Sequence, residues 1–286
     1  MPLALVTGAS TGIGRASALR LAASGWTVLA GVREPAAGER LAAEPAAAGR
    51  VLPLVLEVTD ADQIAQAAAR VEQESARAGV SPSGGLDALV NNAGIGVGGP
   101  LELISSEDMR RQFDVNVLAQ VAVTQAMLPA LRRARGRIVF VSSVGGRVAM
   151  AFTAPYAASK HAIEALADAL RVELHISGVQ VALVEPGSVA TPIWEKARAE
   201  AESVSIPAEL QPYYGKVPEA MGKVLESTAR RGVPAEQVAQ TIETALSAPR
   251  MKARYVVGRD ARVMLAAKRL LPDHLFDALA RRVLGV

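Results

Sequence analysis

The strongest constraint on the fold is a rhythm: short apolar runs alternate with helical stretches almost from the first residue. Residues 3–6 are apolar and end in Thr7-Gly8-Ala9-Ser10-Thr11-Gly12-Ile13-Gly14; a helical pattern follows to Ser24, with Gly25 as its stop signal. Further strands read at 26–32, 51–56, 86–90, 137–141, 179–184 and 254–257. The helices between them read at 35–48, 60–78, 106–133, 155–176 and 235–246. Strands that are apolar throughout, rather than alternating, argue for a sheet covered on both faces and therefore parallel. The pattern predicts an α/β fold, a Rossmann-type doubly wound parallel sheet in a three-layer αβα arrangement. No linker or composition break divides the chain, so its 286 residues read as a single domain, 1–286.

Composition narrows the chemistry. Half the residues are hydrophobic but only 3% are aromatic, so Ala, Val and Leu build the core, which suits close helix-on-sheet packing. The chain has no cysteine, which excludes disulfides, thiolate metal sites and cysteine nucleophiles. Its three histidines, His161, His175 and His274, have no ligand spacing, so no metal site is expected. A net charge of +3, spread along the chain, is no nucleic-acid footprint. The longest apolar stretch, 115–131, is interrupted by Asn116, Gln120, Thr124 and Gln125 and reads as an amphipathic helix, not a membrane span. No basic segment precedes Leu3, so no secretion signal is visible and a cytoplasmic protein is expected.

The first strand-to-helix turn points to a nucleotide. Gly8 permits a tight turn, Gly12 lets the backbone approach a pyrophosphate, and Gly14 allows close packing. The helix start beyond them offers free N–H groups and a favourable dipole to phosphate. An NAD site usually places an acidic residue at the end of the second strand to hold the ribose hydroxyls. Here that position is Val32, followed by Arg33, whose guanidinium suits a 2′-phosphate. A hydrogen bond to such a charged group is worth roughly 1.5–3 kcal/mol, a ten- to hundredfold preference. NADP(H) is thus favoured over NAD(H).

A second pattern points to proton transfer. Tyr156 and Lys160 are four residues apart in a helical stretch and share a face, with Ser143 thirteen residues before the tyrosine. A phenol titrates near 10, and a unit charge about 4 Å away at a dielectric of about 20 is worth roughly 4 kcal/mol. The expectation is that Lys160 lowers the Tyr156 pKa into the range of a working acid/base catalyst. Other strand ends carry polar residues or glycine as well: Glu57-Val58, Asn91-Asn92-Ala93-Gly94, Ser142-Ser143 and Glu185-Pro186-Gly187. Ligands of open α/β sheets bind beyond this carboxyl edge.

Taken in order, these pieces, together with Asn116 in Asp114-Val115-Asn116-Val117 and Pro186-Gly187-x-x-x-Thr191, resemble the short-chain dehydrogenase/reductase family across roughly the first 195 residues. The resemblance implies four catalytic residues. Tyr156 is the acid/base, Lys160 lowers its pKa and holds the nicotinamide ribose, Ser143 binds the substrate oxygen, and Asn116 completes a proton path. It also implies cofactor contacts at Gly8, Ser10, Thr11, Gly12, Ile13, Gly14, Arg33, Glu57, Val58, Asn91, Ala93, Gly94, Pro186, Gly187, Val189 and Thr191, besides Tyr156 and Lys160. Glu57 departs from the family, which usually has an aspartate there to contact the adenine amino group. The implied reaction is reversible hydride transfer between NADP(H) and a carbonyl or secondary alcohol, in a homodimer or homotetramer.

Residues 192–233, with Trp194, Tyr213, Tyr214 and Met221 among prolines, read either as an apolar lid over a lipophilic substrate or as a surface subdomain with its own small core. The Glu185-Pro186-Gly187 turn and this insertion resemble members acting on retinoids or steroids. The basic amphipathic tail, 259–286, is expected to pack on its own domain or a sister subunit rather than on a membrane. Two competing functions share the motifs: an NADP(H)-sensing regulator without turnover, and a ketoreductase of a polyketide or lipid pathway.

Overall fold

The computed structural model describes residues 1–47, 50–77, 79–191 and 206–284. Trp194 and the rest of 192–205, where the expected lid begins, lie outside the described residues.

Seven parallel strands form the sheet: β1 (Leu3–Val6), β2 (Thr27–Val32), β3 (Val51–Val55), β4 (Ala88–Asn91), β5 (Arg137–Val141), β6 (Gln180–Pro186) and β9 (Arg254–Val257), in the order β3-β2-β1-β4-β5-β6-β9. A small parallel pair, β7 (Val189–Ala190) and β8 (Val233–Pro234), stands beside it. The chain runs outward from β1 to β3 on one side, then crosses back to place β4 on the other flank of β1. Crevices that bind ligands form beyond the strand ends at such a reversal.

Both faces are covered. In β1, Leu3 and Leu5 pack in the cluster on one face, while Ala4 and Val6 pack in the cluster on the other; all four are fully buried. Helices α3 (Ala61–Ser75), α5 (Ala119–Ala134) and α6 (Ala154–Glu173) supply side chains to the first cluster. Helices α1 (Gly12–Ala23) and α2 (Pro35–Ala42), with the helix Ala235–Ser247, supply the second. Strand β3 departs from the expected apolar uniformity: it is one of the sheet's two edges, Pro53 and Val55 are exposed, and a proline without an N–H is tolerated there.

The helix expected at 106–133 is not uniform either. It begins as α4 (Ser106–Phe113), passes through a π-helical turn (Asp114–Leu118) and continues as α5. The wider turn carries Asn116, which is wholly buried. Among the described residues no helix is long and apolar enough to cross a membrane. The tail forms two helices, Arg259–Leu270 and Asp273–Leu284, of which Ala261 and Phe276 are buried while Val263, Leu270, Leu275 and Leu279 are exposed.

Candidate active site

The ends of β1 and β4 are stitched together at the reversal. Thr7 Oγ1 accepts hydrogen bonds from the backbone N–H groups of Asn92 (3.0 Å) and Ala93 (3.1 Å). Asn92 Nδ2 donates in return to the carbonyls of Thr7 (2.9 Å) and Gly8 (3.1 Å). Gly8 sits at φ +64°, a left-handed conformation that glycine adopts without strain. Gly14 packs under the same turn: a Cβ there would lie 2.2 Å from the Gly8 carbonyl oxygen. Its role is close packing, and it does not line the cleft.

The cleft runs along the carboxyl edge from this turn to α6. Gly8, Ser10, Thr11, Gly12 and Ile13 line one end with Arg33, Glu57 and Val58; Ala93 and Gly94 line the middle; Pro186, Gly187, Val189 and Thr191 line the far wall. Thr11 precedes α1 without capping it through its side chain, and no acidic residue stands in the first turn. An uncapped helix start with open N–H groups, bordered by a tight glycine turn, fits a pyrophosphate. Arg33 is exposed at the cleft edge, and Val32 beside it is 1% exposed, turned into the core. Glu57 does not reach far: its carboxylate accepts from Thr59 Oγ1 at 3.1 Å.

The other end is built from β5 and α6. Ser143 follows β5 and caps a short turn, its Oγ accepting from Gly145 N at 3.1 Å while hydrogen-bonding the Tyr156 phenol. Proline at the second position of α6 starts the helix, so Tyr156 falls in its first turn and Lys160 in the next. Lys160 is 5% exposed, donates from Nζ to the Val141 carbonyl at 2.8 Å and stands 5.8 Å from the centre of the Tyr156 ring. Burial lowers the Lys160 pKa to about 8, opposed by the negative charge of Glu164. Burial also raises the Tyr156 pKa, opposed by the Ser143 hydrogen bond. This corrects the expected lowering of the tyrosine by Lys160. Removing a phenolate from water disfavours the charged form more than the Ser143 hydrogen bond favours it.

Asn91 and Asn116 are not brought to the cleft surface. Asn91 is buried and donates from Nδ2 to Thr124 Oγ1 at 2.8 Å. Asn116 clamps the loop after β4, accepting from Ile95 N (2.8 Å) and donating to Ile95 O (3.0 Å) and Ser159 Oγ (3.2 Å). Sequence reasoning missed the companions of this clamp. Gln112, four residues earlier, accepts from Val97 N (2.6 Å) and donates to Ile95 O (3.0 Å) and Ser159 Oγ (3.3 Å). Gln120, four residues later, holds Ala93 O at 3.0 Å. Ser159 passes the clamp to the tyrosine, its Oγ donating to Tyr156 O at 2.7 Å. The available signal was spacing: Gln112, Asn116 and Gln120 recur at a four-residue interval and so share a helix face.

A glycine turn before an open helix start, Tyr156 with Lys160 on one helix, and Ser143 beside them line one cleft at the sheet's carboxyl edge, as in an oxidoreductase of the Rossmann class. The family model described as short chain dehydrogenase matches residues 2–202, and the chain belongs to that family. A relative named NADPH-dependent 3-dehydrocapnine reductase, from Ornithobacterium rhinotracheale, is 34% identical, with 98% of this chain and 96% of that protein covered. Mouse (Mus musculus) retinol dehydrogenase 5 is 35% identical, over 98% of this chain and 87% of its own. Among solved structures, a short-chain dehydrogenase from Burkholderia cenocepacia J2315 in complex with NADP has a TM-score of 0.71 at 26% identity, covering 99% of this chain and 97% of that one. A Burkholderia phymatum member in complex with NAD has a TM-score of 0.76 at 26% identity, with 94% of each chain covered.

Proposed function

We propose that the protein is an NADP(H)-dependent reductase/dehydrogenase that interconverts a lipophilic carbonyl compound and its secondary alcohol, with Tyr156 as the proton donor or acceptor. The observation that carries this reading is the meeting of Ser143, Tyr156 and Lys160 with the glycine turn and Arg33 in one cleft. The bound nicotinamide supplies or receives the hydride. Ser143 Oγ, 3.1 Å from the N–H of Gly145 and bonded to the phenol, orients the substrate oxygen. Burial favours the neutral form of Tyr156, the form that can donate a proton to a carbonyl oxygen. Lys160 holds the ribose and compensates the phenolate when the proton has left. Asn116, Gln112 and Ser159 act at one remove, fixing the loop 93–97 and the first turn of α6. Pro186, Gly187, Val189 and Thr191 shape the nicotinamide side.

Cofactor preference rests on Arg33, since relatives with NADP and with NAD are both found. The lipophilic substrate is supported by what packs against the loop after β4. Glycine at 98 leaves room for the Phe152 carbonyl and the Met221 side chain, which would lie 3.1 and 3.2 Å from a Cβ there. Tyr214 reaches Glu102 at 2.9 Å, so with Met221 near Gly98 the 206–231 region sits against the loop after β4. Homologues are named for retinol and for 3-dehydrocapnine. Exposed Leu118, Leu166 and Val172 near α5 and on α6 offer the surface for a dimer or tetramer.

The test is the loss of NADPH absorbance with a panel of retinal, steroid ketones and long-chain ketones. Tyr156→Phe is expected to reduce turnover by about 10²–10⁴-fold with NADPH affinity nearly unchanged. Turnover retained in that variant refutes the role of the tyrosine, and NADPH binding without turnover on any carbonyl favours the sensor reading.

A further inference from the structure

Between the helix of Lys160 and the end of β6 the structure buries two carboxyl groups that the reaction as described does not use. Glu164 lies one helical turn beyond Lys160 on α6 and is 6% exposed; Glu185, next to last in β6, is 0% exposed. Glu185 immediately precedes Pro186 and Gly187 of the cleft wall, so the pair stands between the lysine's helix and the nicotinamide side.

One cation serves both. Arg254 Nε donates to Glu164 Oε2 at 2.9 Å and lies 3.0 Å from Glu185 Oε1. A single N–H cannot satisfy two carboxylates, and Glu185 Oε1 receives no hydrogen bond from it. Glu164 Oε1 and the Ser142 hydroxyl are likewise buried without a partner. Ser142, Glu164 and the Lys160 carbonyl converge on Gly146: a Cβ there would lie 2.8 Å from Ser142 Oγ and 3.0 Å from both Glu164 Cγ and Lys160 O. Orphaned acceptors therefore cluster around two like charges. One added proton removes the conflict, turning one carboxylate into a donor beside the other.

We propose that Glu185 is a neutral carboxylic acid paired with an ionised Glu164, and that the single negative charge so held is a positioning element that keeps Lys160 a cation during catalysis. This rests on the dehydrogenase reading for its consequence, not for its structure. The surrounding charges are accounted for. Arg147 Nη1 reaches Glu185 Oε2 at 3.4 Å from the turn after β5. Asp168, one turn beyond Glu164, is bound by Arg171 (2.7 Å) and Arg254 (2.6 Å). From the helix Arg259–Leu270, Asp260 is engaged with Ser188 N at 2.7 Å, and Lys268 and Arg269 stand with Arg147 at the outer rim. Glu164 is thus the one carboxylate on Lys160's side of the cluster that can oppose the cost of burying that ammonium. The Glu185 pKa is raised by its burial first and by the charge of Glu164 second, which together outweigh the lowering by Arg147 and Arg254.

Two measurements test this. Infrared difference spectra of the unliganded protein at neutral pH, wild type minus Glu185→Gln, should contain the carbonyl stretch of a neutral carboxylic acid. No such band, or one that persists in Glu185→Gln, overturns the pairing whether or not the protein is an enzyme. In the pH profile of NADPH-dependent carbonyl reduction, Glu164→Gln should move the alkaline limb down by about one pH unit, since loss of the anion lets Lys160 shed its proton sooner. Glu164→Asp should restore most of that shift. Glu185→Gln replaces a neutral acid by a neutral amide and should leave the limb in place. A limb that moves equally in both Gln variants, or in neither, refutes the division of roles.

Discussion

The two ends of the cleft are built on opposite terms. At the nucleotide end the backbone faces the cleft: a positive-φ glycine, an uncapped helix start and an exposed arginine, with Thr7 and Asn92 pinning the turn from behind. At the reacting end nearly every polar side chain is buried and held by others, from Gln112 and Asn116 through Ser159 to Tyr156, with Lys160 bonded to Val141. The difference follows from what each end must do. A dinucleotide's phosphates are met by N–H groups that every residue carries, so geometry of the main chain suffices. Proton transfer needs particular atoms at particular places, and those must be held against thermal motion by their neighbours.

The contrast predicts that the nucleotide end fails through its backbone. In Gly14→Ala the new methyl would lie 2.2 Å from Gly8 O and 2.5 Å from Asn92 Nδ2. The turn cannot yield without breaking the stitch between β1 and β4, so a stability loss of roughly 3 kcal/mol is expected. NADPH affinity should fall with it. Chemical denaturation and fluorescence titration measure both, and unchanged affinity would show that the turn is softer than its packing implies.

The reacting end should show the reverse, a gain in stability when function is removed. Lys160 is buried and its pKa lies near 8, below the ordinary 10.5. The folded state therefore holds this proton less tightly than the unfolded chain does. The resulting penalty is full below about pH 8 and fades as the pH rises from there toward 10.5. Lys160→Met should abolish turnover yet stabilise the fold by about 2 kcal/mol at pH 7, less at pH 10. Thermal melts across that range decide it. A variant destabilised at pH 7 would mean that the Glu164 attraction exceeds the cost of burial.

The same division explains what could be read from the chain. The strand–helix rhythm, the glycine turn and the Tyr156–Lys160 interval are local patterns, and the structure gathers them at one sheet edge as expected. What the sequence hid depends on distant partners. Glu164 and Arg254 are 90 residues apart, and Ser159 meets Gln112 across 47. The π-helical turn around Asn116 adds a residue that a 3.6-residue rhythm does not reveal. The sign of the tyrosine shift was misjudged for a related reason: spacing fixes which charges are near, whereas burial, which dominates here, depends on the whole fold. Asn91 shows the limit of a motif, because its side chain turns toward Thr124 instead of the cleft.

The smallest effect sharpens the comparison most. Arg33 is exposed at the cleft edge and follows a valine where a carboxylate would favour NAD. If this end tolerates side-chain change, Arg33→Ala should leave folding and NADH affinity nearly as they were. It should weaken NADPH binding alone, by ten- to a hundredfold, the worth of charge-assisted hydrogen bonds to a 2′-phosphate at roughly 1.5–3 kcal/mol. Because the guanidinium is solvated, the NADPH preference should also shrink with added salt, which screens exposed charges. Paired titrations of NADPH and NADH at low and high ionic strength separate these effects. Equal losses for both nucleotides would assign Arg33 to the adenine or its ribose rather than to the phosphate.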